Sequence, residues 1–168
     1  MVGRVGEMGT ENSAHEPFVQ SAGEEVRKTV EAFRGAQARG MEALANQLVE
    51  KRTAWFEKNE ELIRAQLKGT DVEKAYQLVL MKIGIDEEDA PIVEKSEERV
   101  VFHSMNFCPA LEACKILGLD TREVCRAHSE RATDVLVKKV NVNLSFSRNY
   151  DQIRPHAHYC EEIITLQV

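Results

Sequence analysis

The sequence predicts an α+β protein in which N-terminal helices pack with a small antiparallel β-sheet and two further helices. Three observations carry this. Apolar residues recur at helical spacing up to about residue 84. Beyond about residue 91 the apolar residues alternate with polar ones in short runs, as on half-buried strands. Two helical stretches, each bounded by proline, glycine or aspartate, interrupt those runs, and strands separated in this way form an antiparallel sheet covered by helices.

Taken in order, residues 1 to about 20 are rich in Gly, Glu and Ser without periodicity and read as a flexible tail, with Met1, Val2 and Phe18 as its only anchors. From Gly23 to Lys68 the apolar positions follow a helix: Val26, Val30 and Phe33, then Met41, Leu44 and Leu48, then Trp55, Leu62 and Leu67. Gly35 and Gly40 are expected to break or bend the run near Arg39-Gly40. Gly69 suits the residue after a helix. Thr70 or Asp71 then caps a helix to about Ile83, ended by Gly84. Pro91 to Lys95 and Glu98 to Ser104 read as a β-hairpin. Pro109 to Leu117 is a short helix closed by Gly118, and Asp120 or Thr121 caps a longer one to about Lys139. Asn143 to Tyr150 and His158 to Val168 supply the last two strands. One domain over 21–168 is expected, with a helical part at 21–84 and a sheet-and-helix part at 91–168 that carries the chemistry.

Composition narrows the function classes. Hydrophobic residues make up 43% and charged residues 30%, the balance of a globular chain. The formal charge of −6, with nothing longer than Lys138-Lys139 as a basic run, argues against nucleic acid as a partner. No stretch reaches the roughly 20 apolar residues of a membrane-spanning helix. The N-terminus lacks the apolar core of a signal peptide. A cytoplasmic location follows as the expectation, where the four cysteines are thiols or metal ligands and not disulfides.

The candidate site residues lie in the last 70 or so positions. Cys108 is followed at once by Pro109, which favours the first helical position, so the thiol sits at a helix N-terminus whose free N–H groups stabilise a thiolate. On the last strand, two-residue alternation puts His158, Cys160, Glu162, Ile164 and Leu166 on one face, and the last two turn that face inward. Glu162 then points inward too, and a buried carboxylate needs a partner or a task. The opposite register, with Tyr159 and Ile163 inward, competes with it. Cys125 and His128, three apart on the long helix, are neighbours that can share a metal or simply fill the core. Cys114 reads as core beside Leu111 and Leu117. His103 and His156 read as exposed loop histidines, and Arg154 as a surface arginine or a clamp for a substrate carboxylate. No CxxC pair occurs, so a metal site would have to be assembled across the fold.

Asn106-Phe-Cys-Pro, Val124-Cys125 and His158-Tyr-Cys-Glu-Glu, in that order, resemble the L-2-amino-thiazoline-4-carboxylic acid hydrolase-like family of prokaryotic proteins over about residues 98–168. The resemblance implies hydrolytic opening of a thiazoline ring, with Cys108, Cys125, Cys160 and Glu162 as the matching positions. A fainter likeness is to small-molecule sensors of the 4-vinyl-reductase type.

Two functional expectations result. In the first, the protein hydrolyses a non-peptide C–N bond in a small cyclic amidine and requires no cofactor. Cys108 is the nucleophile, Glu162 or His158 moves protons, and Arg154 holds the substrate's carboxylate beside Cys160 and Cys125. In the second, Cys108, Cys125, Cys160 and His128 hold zinc or another soft metal in a binding or sensing module. A homodimer through the N-terminal helices is a further expectation, should those helices fail to cover the sheet.

Overall fold

A computed structural model describes the chain from His15 to Val168, with side chains from Ser21 onward. The helices are α1 (His15–Arg39), α2 (Glu42–Gln66), α3 (Asp71–Ile83), α4 (Pro109–Leu117) and α5 (Thr121–Val137). The strands are β1 (Ile92–Lys95), β2 (Arg99–Ser104), β3 (Leu144–Arg148) and β4 (Cys160–Leu166). They form one antiparallel sheet in the order β1-β2-β4-β3. The fold is therefore α+β, as the periodicities predict.

The punctuation read from the sequence acts through identifiable contacts. Gly40, at φ +90°, separates α1 from α2, whereas Gly35 stays inside α1. Thr70 caps α3 reciprocally: its hydroxyl accepts from the Glu73 N–H at 3.4 Å, and its own N–H donates to Glu73 Oε2 at 2.8 Å. Glu73 Oε1 also receives Lys95 from β1 at 2.5 Å, so the cap ties α3 to the hairpin. The same carboxylate covers Gly69, where φ is +92° and an added Cβ would stand 2.5 Å from Glu73 Oε2. Gly84 and Gly118 close α3 and α4 in the left-handed conformation. Asp120 caps α5 by accepting from the Arg122 N–H at 2.9 Å.

The largest boundary changes fall near the two ends of the chain. Residues 1–14 of the expected tail lie outside the described residues, while 15–20 already belong to α1. The last strand starts at Cys160, not at His158. Before it the chain turns past Pro155, and the Glu161 N–H reaches back to the Gln152 carbonyl at 2.8 Å, which keeps His158 off the sheet.

One face of the sheet packs on α3 and α5. Val100 and Phe102 of β2, Ile164 of β4 and Leu144 and Phe146 of β3 meet Val72, Ala75 and Val79 of α3 and Val137 of α5. Tyr76 stacks edge-on against Phe102 at 5.1 Å and donates its hydroxyl to the Ala90 carbonyl at 2.8 Å. The long N-terminal helices lie outside this layer, α1 on α4 and α2 on α5. The stripe Val30, Phe33, Met41 and Leu44 is used there, against Ala113, Cys114 and Val124. No described helix is long and apolar enough to cross a membrane.

Replacing Thr70 with Ala removes one half of the α3 cap and is expected to lower unfolding stability by about 1 kcal/mol. Urea denaturation measures it, and an unchanged midpoint would show that the cap contributes nothing.

Candidate functional site

The core face of the sheet is apolar along most of its length and polar at one end. Strand alternation carries Val100 and Phe102 on to Ser104, Leu144 and Phe146 on to Arg148, and Ile164 back to Glu162 and Cys160. The register brings these polar ends together: Glu162 pairs across with Phe102 on one side and Arg148 on the other, and Ser104 pairs with Cys160. Arg148 Nε donates to Glu162 Oε1 at 3.0 Å, and the Ser104 hydroxyl donates to Glu162 Oε2 at 3.0 Å. Arg148 Nη1 reaches the Ser129 hydroxyl on α5 at 3.1 Å. The side chains of Arg148 and Glu162 are only 10% and 8% exposed, so this is a buried ion pair with further hydrogen bonds on both partners. Burial opposes the Arg148 charge, but Glu162, Cys125 and Tyr150 together more than offset it and hold the guanidinium above its ordinary value.

This polar end opens into a cleft of about 440 Å³. β2, β3 and β4 form its floor, and α1, α2, α3, α5 and the start of α4 contribute its walls. Cys108 is the N-cap of α4, with Pro109 in the first turn, and its half-buried side chain lines the cleft. Cys160 enters from β4 and Cys125 from α5. Arg154 joins them from the loop before β4: Nη1 donates to the Asn106 carbonyl at 2.7 Å, and Nε lies 3.4 Å from Cys160 Sγ. The Thr121 hydroxyl donates to the Arg154 carbonyl at 2.7 Å and fixes that loop to the start of α5. Arg154 thus links the Cys160 strand to the segment leading into Cys108, and it is no free surface arginine.

The thiols differ in electrostatic setting. Burial pushes Cys125 up to about 12, against the pull of Arg148, with the other three cysteines adding to the rise. Cys114 is 1% exposed in the α1–α4 core, and burial pushes it up to about 11. It is the core residue the sequence predicts. His128 lines the cleft and meets Phe33 edge-on at 5.4 Å. Burial, then Arg52 and Arg148, push it down to about 4, so the imidazole is neutral in the neutral pH range.

Of the residues singled out from sequence, Cys108, Cys125, Cys160, Glu162, Arg154 and His128 all line this cleft. His158 does not. It is exposed in the turn before β4, because the strand expected to carry it begins two residues later. His103 also differs from its expected exposed-loop setting. It lies within β2 on the opposite sheet face, 2.9 Å from Glu161 and stacked on Tyr159 at 3.7 Å. Among the described residues no group of three or more His, Cys, Asp or Glu side chains is placed to hold a metal ion.

Sequence reasoning missed Arg148, Ser104, Arg52 and Lys82, all of which line the cleft. Arg148 and Ser104 carried a signal, since each continues the two-residue alternation of a core strand by one more step. Arg52 and Lys82 carried none, because charged residues on helices that mix signs read as solvated.

Removing one member of the ion pair strands a buried charge. Arg148→Met alone is expected to cost about 3–5 kcal/mol, and adding Glu162→Leu to it should recover much of that loss. Chemical denaturation of both singles and the double variant measures this; simple additivity would deny the coupling. For the thiols, Cys114 and Cys125 are expected to resist alkylation at pH 8, because their thiolates form only as the pH climbs toward 11 and 12. Mass spectrometry of iodoacetamide-treated folded protein reads this directly, and labelling of Cys125 as fast as a free thiol would contradict it.

No protein-family model, curated protein or solved structure matches the chain.

Proposed function

We propose that the cleft binds a small carboxylate-bearing molecule and opens it by thiol chemistry, as a hydrolase acting on a non-peptide C–N bond of a cyclic amidine such as a thiazoline carboxylate. One observation carries the reading: a cysteine at a helix N-terminus, two further cysteines, Arg154 and a buried Arg148–Glu162 pair all line one cleft of about 440 Å³. That volume suits a small ring and not a polymer.

In this reaction the Cys108 thiolate adds to the amidine carbon, and the C=N electron pair moves to the ring nitrogen, which takes a proton. The C–N bond then breaks as the lone pair of the amidine's other nitrogen forms a new C=N bond, and the departing ring nitrogen takes a second proton to leave as the amine, with the amidine carbon held on Cys108. Water adds to that carbon, and the thiolate of Cys108 departs, so substrate and water become the ring-opened product. Cys108, the N-cap residue of α4, supplies the nucleophile. Arg154, held beside Cys160, meets the substrate carboxylate. Glu162 acts through Arg148, since Arg148 and Ser104 engage its two oxygens. His128 takes the place expected for His158 as the imidazole on the cleft wall. The setting is a reducing, cytoplasmic one, in agreement with four free cysteines.

The non-catalytic alternative, a small-molecule sensing site in the same cleft, draws support from the commitment of Glu162 to Arg148, which leaves no unengaged buried carboxylate among the described residues to serve as base.

Cys108→Ala is expected to abolish ring opening of 2-amino-thiazoline-4-carboxylate, and Cys108→Ser to reduce it by about 10²-fold or more. Turnover is followed by the appearance of the new primary amine. Undiminished turnover in Cys108→Ala removes Cys108 as nucleophile, and absence of turnover in the intact protein leaves the sensing reading in its place.

A further inference from the structure

The cationic side of the cleft holds more charge than the thiol chemistry uses. Arg52 projects from α2, and its Nη1 donates to the neutral Thr133 hydroxyl at 2.6 Å. Lys82, from the last turn of α3, lies over the Trp55 ring at 5.0 Å. Both line the cleft. Among the described residues neither has a carboxylate in ion-pair contact; Glu162 attracts Arg52, but its contacts go to Arg148 and Ser104. Glu25, the other acidic residue lining the cleft, is exposed. Burial, then the Arg148 charge, push Arg52 down to about 10, and burial, then Arg52, push Lys82 down. His128 responds to the same field. The chain carries a net −6, so a cleft with this surplus of cations runs against its overall charge. Like charges gathered without a counterion cost free energy, which an anionic ligand would return.

We propose that Arg52 and Lys82 form a second anion subsite in the cleft and that the ligand is a small dianion of the dicarboxylate class, with one acidic group at Arg154 and the other at Arg52 and Lys82. The inference rests on the reading of the cleft as a small-molecule site and adds a second acidic group to the carboxylate-bearing ligand proposed for it. A planar guanidinium and a compact ammonium in one cleft offer two donor geometries to an acidic group. Arg52 has its remaining N–H groups for this, since Thr133 takes only Nη1.

The test compares succinate, glutarate and adipate with butyrate as probes of the intact protein by calorimetry. At least one diacid is expected to bind about tenfold or more tightly than butyrate. Lys82→Met, which keeps an aliphatic stem over Trp55, and Arg52→Gln should each erase most of that preference while butyrate binding stays. A readout that needs no variant is the His128 imidazole titration by NMR, which the bound diacid should move upward by about one unit or more. Equal affinity for diacids and butyrate, a preference that survives both substitutions, no binding of any diacid at millimolar concentration, or an unmoved His128 overturns the proposal. The outcomes separate it from the hydrolase reading. Ring opening that is lost in Cys108→Ala but indifferent to a second acidic group keeps the thiol chemistry and removes the dianion. Diacid binding of the expected pattern without turnover keeps the subsite and removes the chemistry.

Discussion

The buried pair of Arg148 and Glu162 is the constraint on which the rest of the site depends. Two charges that are 10% and 8% exposed persist in the fold only because each is held by the other and by hydroxyls from β2 and α5. That requirement pins the ends of three strands and one face of α5 to a common point. It also sets the sign of the cleft, since Glu162 neutralises Arg148 and leaves Arg52, Lys82 and Arg154 in surplus.

The polar end is possible because the apolar end is complete. Val100, Phe102, Leu144, Phe146 and Ile164 close the sheet against α3 and α5 without a polar gap, and past that core the same face carries Ser104 on β2, Arg148 on β3 and Glu162 and Cys160 on β4. β2 leads into Cys108 and the start of α4, and the Arg154 loop leads into β4. Both connections leave the sheet at the same end, and for that reason residues about fifty positions apart in sequence meet there. The four cysteines then divide by environment. Cys114 belongs to the α1–α4 core, Cys125 is held as a thiol by burial, and Cys108 and Cys160 face the cleft with Arg154 between their segments.

Much of this is legible in the sequence, for physical reasons that can be named. Pro109, Gly118, Thr70 and Gly84 act locally, so the helix ends they mark hold. The inward face of β4 is readable from Ile164 and Leu166, and it brings Glu162 into the site although no cysteine motif points to it. The failures have equally specific causes. His158 falls outside its expected strand because the start of β4 is set by the turn after Pro155, which alternation does not encode. Arg148 looks like the polar end of a strand until the register places Glu162 opposite. Arg52 looks like one more charge on a solvated helix, and only the docking of α2 on α5, through Thr133, turns it into the cleft.

If the ion pair organises the cleft, the Arg148 Nε–H is sequestered. The most direct measurement is hydrogen exchange at arginine Nε–H groups followed by NMR near neutral pH. The Arg148 signal is expected to be strongly protected in the intact protein, unlike that of exposed Arg27, and Glu162→Gln is expected to remove most of the protection. An Arg148 Nε–H that exchanges as fast as that of Arg27 in the intact protein would contradict the organising role of the pair.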